Sequence, residues 1–295
     1  MTIVYWNATK CLSAGNYNYP IFKRCTNPAT VIIGDNVQII PDYAFSYFSG
    51  LKSVKIGNSV TSIGASSFSG CSGLIEITIP ANVTFIGSSA FYGCQALTNI
   101  IVPDSLTSIS DHVLDGCSGL KEITIPNSVT SIGVYAFRGC NGLSEMTIPD
   151  SVTSIGEFVF YGCSGLTNVT IGNNVASIGL RAFSGCSGLS EITISDSVTS
   201  IEGSAFHGCS GLATVTIGRS VNLIGSYAFY GCNKLIKVYY KGGKSEWANI
   251  SISSYNDSLT SATRYYYSEE QPTLSGNYWH YDVDGVTPTI WKKEN

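Results

Sequence analysis

Residues 161–172 read YGCSGLTNVTIG. A cysteine set between Gly162 and Ser164 on a small-residue turn can be an exposed nucleophile, or a residue that the fold needs. The surrounding chain decides between them. Cysteine recurs at 71, 94, 117, 140, 163, 186, 209 and 232, each 23 residues after the last. Two periods before Cys71 stands Cys25, with Phe48 in the slot between. Phenylalanine keeps the same register from Phe22 to Phe229, except at Leu114. Leucine does so from Leu51 to Leu235, and isoleucine from Ile63 to Ile224. The tetrapeptide GCSG occurs five times, starting at 70, 116, 162, 185 and 208.

Self-similarity at this period, with L-x-x-I-x-I inside it, marks a leucine-rich repeat solenoid. In Leu120–Ile125 the apolar residues alternate, which predicts one short strand per coil. Pro126, or a glycine in that slot, ends it. Ser-Val-Thr-Ser-Ile-Gly crosses an edge and can add a second short strand. Ala-Phe-x-Gly-Cys then closes the coil in a tight or briefly helical turn. One coil cannot bury its own apolar face, so stacking builds the core and a parallel sheet on one face. About ten 23-residue repeats are expected, in a right-handed solenoid over residues 22–240. Residues 1–21 are expected to cap one end, and the aromatic-rich residues 241–295 the other.

The repeat resembles the BspA-type leucine-rich repeats of bacterial cell-surface proteins and some protist parasites. The resemblance carries Phe-x-Gly-Cys-x-x-Leu-x-x-Ile-x-Ile-Pro-x-x-Val-x-x-Ile-Gly across residues 22–240. It implies secretion or surface display, and binding of host or microbial protein or glycan. The opening MTIVYWNATK has no basic segment followed by an apolar one, and no wall-anchoring motif is recognisable, so surface location is an expectation inherited from the family.

Each repeat cysteine lies three residues after Phe and three before Leu, among core positions. Cys25, Cys71, Cys94, Cys117, Cys140, Cys163, Cys186, Cys209 and Cys232 therefore read as a ladder of buried, reduced thiols. Parallel side-chain directions from coil to coil oppose disulfides. Cys11 lies outside the register, either free or paired with Cys25. Clustered pairs such as C-x2-C, which structural zinc needs, do not occur. His112, His207 and His280 are scattered, and Asp282–Gly285 reads as a hairpin turn rather than a calcium loop. No cofactor and no metal are expected.

The residues between the strand isoleucines should face outward on a concave sheet. They form a threonine ladder at Thr78, Thr124, Thr147, Thr170 and Thr193. Beside it run Glu76, Glu122, Glu145 and Glu191, interrupted by Asn168, with Ile101 as an exposed apolar residue. This acidic, hydroxyl-rich strip is the expected binding face, although it can also simply solubilise the sheet. Its carboxylates share one environment, and nothing splits their acidities as catalysis needs. Tyr135, Phe158, Tyr161, Tyr227 and Tyr230 flank the turns as an aromatic edge, suited to binding or to packing.

Charged residues make up 12% and the net charge is −4, with no Lys/Arg block, so no nucleic-acid partner is expected. No run of 18 apolar residues exists, so no membrane-spanning helix is expected. The expected protein is a monomeric, non-catalytic adhesion module that binds a protein or glycan. The alternatives are a passive spacer within a larger surface protein, and carbohydrate binding through the C-terminal aromatics.

Overall fold

A computed structural model of the chain describes residues 2–7, 20–273 and 276–291. It is a parallel-strand solenoid of about eleven turns with a spacing of about 23 residues. Most coils contribute a strand of up to six residues on one face and a second, two-residue strand on the next. In Glu145–Thr147 the Met146 side chain is buried while its neighbours are exposed, and Glu76–Thr78, Asn168–Thr170 and Glu191–Thr193 repeat the pattern. Neighbouring coils pair in parallel one period apart, as Glu145 does with Asn168 and Ser177 with Ser200. Period-2 alternation within the coil and the 23-residue period between coils thus build one continuous core.

The third side of each coil is the Ala-Phe-x-Gly-Cys turn. Its chirality requires a left-handed residue, and Gly162 supplies it at φ 74°. Four residues earlier, Phe158 is left-handed too, at φ 56°. That slot is left-handed in successive coils and holds Tyr43, Ser66, Ser89, His112, Tyr135, Phe158, Arg181, Ser204 and Tyr227. The phenylalanines point inward and stack. Phe45, Phe68 and Phe91 form one column, and Phe137 to Phe229 another, with ring centroids 5.1–5.5 Å apart. Leu114 separates the two columns.

The N-terminal strand Thr2–Trp6 pairs in parallel with Ala29–Ile33, and Trp6 packs edge-on against Phe45 at 5.1 Å. At the other end the period changes, but parallel stacking continues. Ser251–Ile252 adds to Leu223–Ile224, and Thr263–Tyr267 adds to Lys237–Tyr240. A hairpin, Tyr278–Tyr281 with Pro288–Ile290, closes this end across the turn at Gly285. Trp279 is fully buried, and its indole N–H donates to the Tyr240 carbonyl at 2.9 Å.

Asn256 replaces the backbone of a missing coil. In an interior coil the Phe206 N–H donates to the next coil's Ala228 carbonyl, at 2.8 Å. For Phe229 the acceptor is the Asn256 side-chain oxygen, at 3.0 Å, while Asn256 Nδ2 donates to the Gly225 and Ser253 carbonyls. Asn256→Ala leaves the buried Phe229 N–H without a partner. The expected loss is about 1–3 kcal/mol, read as a lower denaturation midpoint, and Asn256→Asp should not rescue it, because its buried carboxylate has no N–H for the Gly225 and Ser253 carbonyls.

Candidate functional site: an open depression on the strand face

The structure sets Glu76, Thr78, Glu122, Thr124, Glu145, Thr147, Asn168, Thr170, Glu191 and Thr193 on the exposed side of the strands. Ile101 is 66% exposed beside them. The ladder ends at Thr216, which is buried because the next strand places Tyr239 beside it and Trp279 packs onto Tyr239.

This face is not the unbroken sheet that the repeat suggests. Pairing shrinks to Asn99–Ile100, then to a single bridge between Asn99 and Glu122. Among the described residues no strand pairing joins the coil of Glu122 to Glu145–Thr147. Pro80, Pro103, Pro126 and Pro149 follow the strand segment in four successive coils, yet Glu76–Thr78 and Glu145–Thr147 each keep three-residue pairing with a neighbour, so proline alone does not set the break. Three-residue pairing also joins Glu191–Thr193 to Thr214–Thr216, and among the described residues none joins Asn168–Thr170 to Glu191–Thr193, so the face breaks a second time there.

At the first break the surface opens into a depression of about 1100 Å³. Glu122, Thr124, Glu145 and Thr147 line it together with Asp104 and Lys121. Three carboxylates thus face one ammonium group. An adjoining hollow of about 440 Å³ adds Ile101 and Val102. Glu76, Asn168, Thr170, Glu191 and Thr193 do not line either space. Sequence reasoning missed Asp104, Lys121 and the break itself. No residue of the repeat signals it, since prolines stand in the same slot of coils that stay paired.

The aromatic edge divides in two. His112, Tyr135 and Phe158 stack at 4.8 and 4.6 Å, with Tyr161 tilted against Phe158. The Arg138 and Arg181 guanidinium groups lie 5.1 and 5.8 Å from the Tyr135 and Phe158 ring centres. Buried Asp115 anchors this wall, accepting from Arg138 Nε at 2.7 Å and lying 2.8 Å from His112 Nδ1. Tyr227 and Tyr230 form a separate group with Tyr255 and His207. Trp247 and Trp279 are buried, so neither face is available to stack on a sugar.

The thiols from Cys71 to Cys232 are buried, and each Sγ donates to the carbonyl of the residue 26 positions earlier, as Cys163 does to Phe137 at 3.0 Å. The Phe carbonyl of the previous coil is therefore the reason for a thiol rather than a methyl in this slot. Cys25 is a correction to the ladder: it is exposed. It sits in the turn after Phe22, where its N–H donates to the Phe22 carbonyl at 2.8 Å. Cys11 lies outside the described residues. Burial pushes the Cys71, Cys163 and Cys232 thiols up to about 12, against a backbone hydrogen bond that opposes the shift. Cys94, Cys140, Cys186 and Cys209 are likewise raised well above 9.0, chiefly by burial. Inert protonated thiols are the result. Among the described residues no cluster of His, Cys, Asp and Glu could hold a metal ion, and no helix is long and apolar enough to cross a membrane.

Stacked short strands, a Phe and Cys column and an open polar strand face define a leucine-rich repeat protein. The BspA type Leucine rich repeat region matches in six copies, over residues 17–144 and 130–260. The chain belongs to that family. Among solved structures it is similar to the T. pallidum Leucine Rich Repeat protein, with 31% identity, 54% of this chain and 77% of that chain covered, and a TM-score of 0.51. It is also similar to a leucine rich cell surface protein from Faecalibacterium prausnitzii A2-165, with 25% identity, 85% and 86% covered, and a TM-score of 0.45. A third similar structure is the pneumococcal vaccine antigen PcpA, with 20% identity, 91% and 80% covered, and a TM-score of 0.47. Comparison with curated proteins finds no match.

Proposed function

We propose that this chain is a non-catalytic binding module of a bacterial cell surface, and that it holds a protein partner in the depression around Glu122 and Glu145. The observation that carries this reading is the break in the strand face. It turns a flat polar strip into a concave site, with Asp104, Glu122 and Glu145 at its wall and Ile101 and Val102 beside it. Acidic groups around a partly apolar hollow suit a partner with basic side chains around an apolar anchor. The broad, open shape suits a protein surface better than an enclosed small molecule. Membership of the BspA-type family supports the surface location.

The test is direct. Purified protein is applied to an array of immobilised extracellular-matrix and serum proteins, and each hit is titrated. The double variant Glu122→Lys/Glu145→Lys should weaken a true partner by about tenfold or more. Glu191→Lys, outside the depression, should change little, and added salt should weaken the wild-type complex. A partner held equally well by the double variant would refute the assignment to this site. No saturable partner at all would favour the passive-spacer reading.

A further inference from the structure

A second concave site lies on the turn side of the coils between residues 43 and 92. It is a groove of about 330 Å³, lined by Tyr43, Tyr47, Ser66, Ser69, Ser89 and Tyr92. All six side chains carry a hydroxyl, and none carries a charge. The groove follows from which residues fall into two adjoining slots of successive coils. Tyr43 and Tyr47 rise from the first coil and Tyr92 from the third. The coil between them presents only Ser66, Ser69 and Gly70. Two coil spacings of about 4.8 Å separate the aromatic walls.

Tyr47 is the unusual residue. It is left-handed, at φ 59°, in a slot that Gly70, Gly93, Gly116, Gly139, Gly162, Gly185, Gly208 and Gly231 occupy in the following coils. The coil imposes the left-handed conformation in that slot, and among the described residues Tyr47 is the one that brings a side chain to it. The ring has a fixed place. A Cβ on Gly70 would lie 2.7 Å from Tyr47 Cδ1, so the ring lies against that glycine and lines the groove. The hydroxyls of Tyr43, Ser66, Ser69, Ser89 and Tyr92 make no hydrogen bond to the described protein. Hydroxyls without internal partners, aromatic faces and no charge are the chemistry that recognises a neutral, polyhydroxylated ring with an apolar face. The volume sits at the small end of the roughly 300–1,000 Å³ typical of small-molecule sites.

We propose that this groove is a neutral-saccharide site taking one or two sugar units. The Tyr47 and Tyr92 rings offer faces for stacking, and the three serines exchange hydrogen bonds with the sugar hydroxyls. The site is separate from the depression around Glu122, and neither reading depends on the other.

The test uses methyl glycosides of glucose, galactose, mannose and N-acetylglucosamine, and their disaccharides, followed by saturation-transfer NMR and titration calorimetry on the whole chain. At least one should bind saturably. Tyr47→Gly restores the residue that the repeat uses elsewhere, so it should leave the denaturation midpoint unchanged or raised. It should also weaken binding about tenfold, the effect of one lost stacking partner. Ser69→Ala should weaken binding too, and Glu122→Lys/Glu145→Lys should not. Absence of saturable binding by all these sugars would overturn the proposal. So would binding that survives Tyr47→Gly in a folded variant.

Discussion

Between pH 9 and 12 a Cys11→Ser/Cys25→Ser variant, which keeps only the buried column, is expected to unfold in one steep transition, with thiolate absorbance rising only as circular dichroism is lost. The cause is the cysteine column. Cys71, Cys163 and Cys232 release their protons near 9.0 in the unfolded chain, but near 12 when buried in the fold. Below pH 9 both states hold these protons, and the thiols give no pH dependence. Above it the unfolded state binds fewer protons than the folded one, so stability falls as pH rises. Each thiol contributes about 1.4 kcal/mol per pH unit. Several thiols titrating together in this way make the loss steep relative to the roughly 5–15 kcal/mol that holds a whole domain together. Cys163→Ala, which removes one such group, should move the transition to higher pH. Thiolate appearing near pH 9 in that variant while it is still folded would show that the column is open to water.

Phe160→Ala is expected to cost about 3–5 kcal/mol in chemical denaturation. Phe160 is fully buried and stacks between Phe137 at 5.4 Å and Phe183 at 5.1 Å. Its carbonyl also accepts the Cys186 thiol at 3.2 Å. A hole here opens both coil interfaces at once, and an interior coil has no free end toward which to relax. Leu114 shows how far this slot tolerates change. It stands in the phenylalanine register with Val113 where most coils have alanine, so the larger neighbour makes up part of the lost volume. A small apolar void of about 20 Å³ remains, lined by Phe91, Ile100, Val113 and Leu114. Phe160→Leu should therefore cost much less than Phe160→Ala. Equal losses for the two would mean that stacking, rather than volume, holds the column together.

The sequence by itself determined the coil. Met146 inward with Glu145 and Thr147 outward, Ile155 inward, Phe160 and Cys163 in the core: each follows from period-2 alternation and from a register that returns every 23 residues. Interior coils see the same neighbours above and below, so a local pattern suffices to place their side chains. Where that equivalence fails, only the tertiary structure decides. Cys25 matches its slot but is exposed. Asn256 lies beyond the regular period, yet its amide takes over the backbone acceptor of a missing coil. Glu122 and Glu145 became walls of a depression because strand pairing lapses between their coils, which the repeat pattern does not announce. Tyr47 and Tyr92 meet across a groove because the residues between them happen to be small. These features depend on what neighbouring coils place beside one another, and a periodic sequence specifies the columns without stating what will fill the space between them.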